Sequence, residues 1–86
     1  MEKEYLISFS SFYKAAYAQE MLAREGFSAS IRKLPVELIR SCSTGLYLRT
    51  DSIQGALDVF GQRRIVPRGI FEIRGGRSGR EYVKVQ

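Results

Sequence analysis

Leu34 to Thr50 reads LPVELIRSCSTGLYLRT, and the way this stretch divides decides the fold. Pro35 ends an extended run and suits the first position of a single helical turn over residues 36–39. A Ser/Thr/Gly loop follows from Ser41 to Gly45. Leu46 to Thr50 then alternates, with Leu46 and Leu48 on one face and Tyr47 and Arg49 on the other, as a strand requires. The same stretch holds one of the two prolines and the only cysteine, Cys42.

Upstream, residues 4–9 (EYLISF) mix apolar, aromatic and β-branched types on both faces, which predicts a central strand. Ser10 and Ser11 are hydroxyl N-caps for a helix over residues 12–25. Ala15, Ala18, Met21 and Leu22 form its apolar face, and Gly26 stops it with Phe27 packing back over the last turn. Residues 28–34 (SASIRKL) read as a more polar strand, with Arg32 and Lys33 blunting an exposed sheet edge.

Downstream, Asp51 or Ser52 caps a second helix over residues 53–62. Its apolar stripe is Ile53, Ala56, Leu57 and Phe60. Gly61, Pro67 and Gly69 punctuate the passage to a strand over residues 70–74 (IFEIR). Residues 81–85 (EYVKV) alternate as a strand would, as a returning hairpin arm, a frayed end or an arm ordered only by a partner chain. Strand, helix, strand, strand, helix, strand is the ferredoxin-like order. It predicts an α+β sandwich: four antiparallel strands, the first and third central, two helices on one face, and an extra C-terminal strand if the arm folds back. Residues 1–75 make the single domain, and 76–86 a basic Gly/Arg loop and arm.

Eighty-six residues suffice for one modest core. A chain this small is expected to associate as a homodimer. A lone cysteine makes no internal disulfide and suits a reducing cytoplasm. No apolar run approaches the roughly 20 residues of a membrane span. The acidic start, MEKEYLISF, turns straight into strand, unlike a signal peptide.

The net charge of +5 is unevenly placed. Residues 1–61 hold seven basic and seven acidic side chains, whereas 62–86 hold seven basic side chains against Glu72 and Glu81. Arg74, Arg77, Arg80 and Lys84 thus mark a basic tail able to bind an acidic partner, or a solvated segment that maintains solubility.

Histidine is absent, which removes most hydrolase triads and the common zinc sites. There is no GxxxxGK[ST] or GxGxxG phosphate cradle. No pair of carboxylates is spaced for acid–base work. The chain is read as a non-enzyme, with no cofactor and no metal. Cys42 stands out within Arg40-Ser41-Cys42-Ser43-Thr44-Gly45. A thiol reacts as thiolate, which Arg40 and converging loop N–H groups would favour. Cys42 is otherwise a small buried hydrophobe or an ordinary surface thiol. Nucleic-acid binding is a weaker reading. An RNA-recognition sheet needs exposed aromatics, and Tyr5, Phe9 and Tyr47 supply such a row only if the core does not claim them. LYLRT does not match the aromatic pattern of such modules, and RGGRSGREYVK is a single Arg/Gly copy.

From Tyr5 to Ile73 the chain resembles the small bacterial selenium/sulfur carrier protein-like family. The resemblance is carried by the strand ending in Phe9, the Ser10-Ser11 cap and the Ala-rich helix closing at Glu25-Gly26. It continues through Ile31 to Pro35 with Val36-Glu37, the Ser41-Cys42-Ser43-Thr44-Gly45 loop and Leu46 to Arg49. In many members the cysteine directly precedes the glycine; here Thr44 holds that place and Cys42 lies two residues earlier. The resemblance implies a carrier of sulfur or selenium on Cys42, with Arg40, Ser41, Ser43, Thr44 and Gly45 cradling the anion and a protein partner as donor or acceptor. The alternative is a non-catalytic regulatory or interaction module, dimeric and using the basic tail.

Overall fold

The computed structural model describes residues 2–35, 44–76 and 79–85. Its elements are β1 (Lys3–Phe9), α1 (Phe12–Arg24), β2 (Ala29–Arg32), β3 (Thr44–Thr50), α2 (Ile53–Arg63), β4 (Gly69–Gly76) and β5 (Gly79–Lys84). The strands form one antiparallel sheet in the order β2-β3-β1-β4-β5. This is the expected α+β ferredoxin-like arrangement with β1 and β3 inside. The arm does return as a hairpin: β5 pairs with β4 from Gly76↔Gly79 to Phe71↔Lys84.

The core lies between the sheet and both helices. Tyr5, Ile7 and Phe9 of β1, Leu46 and Leu48 of β3, and Ile70 of β4 meet Ala15, Ala18 and Leu22 of α1 and Ala56 and Phe60 of α2. The alanines remove bulk where α1 crosses the sheet. Phe9 and Phe60 meet edge to face at 6.1 Å between ring centres. Burial of each such side chain contributes about 1.5–3 kcal/mol, so the inner strands carry most of the stability.

Local sequence sets the helix ends. Ser11 caps α1, its Oγ accepting from the Lys14 N–H at 3.2 Å. The far end is a Schellman motif: Phe27 N–H donates to Leu22 O, Gly26 N–H donates to Ala23 O, and Gly26 takes φ +89°. At α2, Ser52 is the N-cap without a side-chain cap bond; Thr50 Oγ1 instead accepts from the Ser52 N–H. Gly61 lies within α2, and the left-handed residue that ends it is Arg64, at φ 57°. The sequence reading, which ends this helix at residue 62, falls one residue short of Arg63.

Each strand differs by one or a few residues from the sequence reading, and two of these differences bear on the site. β2 ends at Arg32, because Leu34 turns away from the ladder and buries itself over Leu6 and Gly45 on the face opposite the helices. β3 begins at Thr44, so Thr44 and Gly45 are strand residues paired with Phe9 and Ser8 of β1. No helix among the described residues is long and apolar enough to cross a membrane.

Candidate functional site

The described structure stops at Pro35 and resumes at Thr44. Arg40, Ser41, Cys42 and Ser43 lie outside the described residues, as does the turn expected at 36–39. Thr44 stands half-buried beside Phe9, where β1 delivers the chain to the start of α1. Gly45 is buried, opposite Ser8 on one side and Arg32 on the other.

Gly45 has no room for a side chain. A Cβ there would stand 2.8 Å from the Arg32 carbonyl oxygen, 2.9 Å from Leu34 Cδ2 and 3.2 Å from Leu6 Cδ1. The glycine thus lets Leu34 lie flat on the sheet and carry the chain toward the cysteine segment. Gly45→Val is expected to lower the unfolding free energy by about 1–3 kcal/mol, the usual range for overpacking. The measurement is the urea midpoint at unchanged slope; undiminished stability would contradict the seating of Leu34.

Beside Leu34 the same sheet face holds a cleft of about 160 Å³, lined chiefly by Leu6, Arg32, Leu34, Tyr47, Arg80 and Tyr82. Lys33 and Pro35 complete its rim. Arg32, Lys33 and Arg80 bring three cations to it from two ends of the sheet. None has a carboxylate in ion-pair contact among the described residues. The Arg32 guanidinium carbon stands 4.1 Å from the centre of the Tyr47 ring, a cation–π contact. The Tyr47 hydroxyl donates to Glu4 Oε1, so one chain of contacts runs from β2 through β3 to β1. Such a cleft, polar and cationic with an aromatic floor, can hold a small anion or raise the positive potential nearby.

The hydrogen bond to Glu4 raises the Tyr47 pKa above its ordinary value; burial and the Glu4 charge add to this, while Arg32 and Arg49 oppose it. The neutral phenol therefore keeps its proton to higher pH folded than unfolded. Its contribution to stability is complete below about pH 10 and is lost as pH rises through the folded value. Tyr47→Phe is expected to flatten the decline of stability above about pH 10. Chemical denaturation at a series of alkaline pH values checks this; an unchanged slope would contradict it. Tyr5, raised by burial and then by the Glu72 charge, retains its own share of the decline.

The residues read as one basic tail are divided by the sheet. Arg80 and Lys84 share a face with Leu6 and Tyr47, whereas register places Arg74 on the helix side. There Arg74 Nε donates to Glu72 Oε2 at 3.2 Å, and this lowers the Glu72 pKa. Arg77 lies outside the described residues. Of the three aromatics that would make an RNA-binding row, Tyr5 and Phe9 are in the core and the Tyr47 ring is covered by Arg32. Sequence reading missed Arg32 over Tyr47, and Arg80 and Tyr82 in the cleft. These are cross-strand neighbours, visible only once register is known. No group of three or more His, Cys, Asp or Glu side chains able to hold a metal stands among the described residues.

The antiparallel sheet thus carries helices on one face and a basic cleft on the other, beside Leu34 and Pro35. A family model described as "Putative Se/S carrier protein-like" matches residues 4–72, and the chain belongs to that family. No curated protein and no solved structure matches it.

Proposed function

We propose that this chain is a non-enzymatic carrier of sulfur or selenium, with Cys42 as the thiol that takes the cargo. The observation that carries the reading is the family match over residues 4–72, which spans the only cysteine. Arg40, Ser41, Ser43, Thr44 and Gly45 would surround the anion, as the family resemblance implies. The cations at the cleft support it, because Arg32, Lys33 and Arg80 stand where the chain departs for that segment. A positive local potential favours thiolate over thiol and keeps an anionic cargo near.

The chemistry is an exchange. The Cys42 thiolate attacks the outer sulfur of a donor persulfide, a new S–S bond forms on Cys42, and the donor's inner sulfur leaves as thiolate. A second exchange, in which an acceptor thiolate attacks the outer sulfur, returns Cys42 to its starting state. In this reading the chain works in the cytoplasm, where thiols stay reduced, and its partners are the donor and acceptor proteins. The two sheet edges, β2 and β5, offer the surface for a homodimer.

The test is cyanolysis. Protein incubated with a cysteine desulfurase and cysteine, then freed of both, is expected to release about one thiocyanate per chain, as one thiol loading by exchange requires. Release no greater than from protein incubated without the desulfurase would end the carrier reading.

A further inference from the structure

A second surface lies away from the sheet's open face. The first two turns of α1 and the connection after α2 enclose a groove of about 400 Å³, lined by Phe9, Tyr13, Lys14, Tyr17, Arg64, Ile65 and Val66. Its lining is unusually apolar for a free surface: Tyr13 is 84% exposed and Val66 82%, and exposed Phe12 meets Tyr13 edge to face. On the other side of Val66 a second recess of about 310 Å³ runs over Leu57, Phe60 and Pro67, so Val66 forms a ridge between two apolar hollows. Clustered exposed aromatics and aliphatics of this kind mark contact surfaces.

The charged side chains that line the groove are both cations. Lys14 and Arg64 line it and Arg68 lines the neighbouring recess, and none of the three is in ion-pair contact with a carboxylate among the described residues. The first turn of α1 carries no acidic residue, so the positive end of the helix dipole adds to the field. Arg64 sits in the left-handed conformation that glycine adopts at lower cost, yet it places a guanidinium at the groove.

We propose that this groove docks a segment of a partner protein in which apolar side chains are flanked by carboxylates. The apolar side chains fill the hollows on either side of Val66, and the carboxylates meet Lys14, Arg64 and Arg68. A second copy of this chain is a poor occupant, because a two-fold contact would set the same cations against each other. The proposal uses no chemistry of Cys42, so it and the carrier reading stand or fall separately.

The probes are synthetic octapeptides with a central Leu-Phe-Leu-Leu and two glutamates at each end. Comparison peptides carry lysine in place of glutamate, or serine in place of the central four. Each is titrated into the full isotope-labelled chain and followed by amide chemical shifts. The glutamate peptide is expected to shift residues 12–17 and 63–68, and to bind the Cys42→Ser chain equally well. The lysine peptide is expected to bind about fivefold more weakly or worse, as the loss of several exposed charge pairs implies. The serine peptide should not bind, and Val66→Ser and Arg64→Glu, both at exposed positions, should each weaken the glutamate peptide. Any of four results would overturn the proposal: no shifts, equal binding of the lysine peptide, shifts of these residues with protein concentration alone, or tighter binding of an oligothymidylate at the same residues.

Discussion

Phe9→Ala is expected to remove about 3–5 kcal/mol of folding free energy, the usual cost of truncating a buried phenylalanine. Phe9 is wholly buried, meets Phe60 edge to face, and ends β1 where the chain turns into α1. Phe9 also lines a groove with Tyr13 and Tyr17 of α1, so it borders both helices. The total for a domain of this length is about 4–13 kcal/mol, so the variant stands near the limit of folding. Phe9→Leu keeps the measurement possible, since it retains most of the buried volume and should cost less than Phe9→Ala. Exposed Val66→Ser should stay within about 0.5 kcal/mol of the parent. Urea denaturation of the three variants orders them; a Phe9→Ala loss below about 1 kcal/mol would mean that the core is not centred on this contact.

Cys42→Ser is expected to abolish sulfur loading while leaving stability and helix content unchanged. Serine cannot hold a persulfide, and the sequence has no other thiol to substitute for it. The comparison separates two roles for the residue. A purely structural cysteine would lower stability and leave any loading intact; a carrier thiol does the reverse. The offset from the common family pattern makes this informative, because Thr44, at the position where many members have their cysteine, is the first residue of β3 and lies beside Phe9. Cargo placed two residues upstream belongs to the segment before the strand. Retained loading in Cys42→Ser would exclude the assignment.

Much of the fold was legible because period and punctuation agree. Residues 46–50 alternate as β3 does, the α1 apolar face is the one buried, and Ser11, Gly26 and Phe27 act as their types suggest. Where reading failed, a side chain was absent or a contact was distant. Gly45 has no side chain to continue the alternation, so it passes for a loop residue until Leu34 is seen lying on it. Leu34 reads as strand because its burial is against the far face of the sheet. The alternation over residues 81–85 left a hairpin arm and a frayed end equally open; pairing with β4 decides for the hairpin. The candidate site was legible as residue types more than as an arrangement. The cleft depends on the β2-β3-β1-β4-β5 order, which brings Arg32 and Arg80 toward one face from opposite ends.

The most direct measurement is the mass of the protein after incubation with a cysteine desulfurase and cysteine, followed by peptide mapping without reductant. The carrier account predicts the added mass of one sulfur atom, removed by dithiothreitol and confined to the peptide containing Cys42. An unmodified Cys42 peptide, beside a known acceptor that is modified under the same conditions, would contradict it.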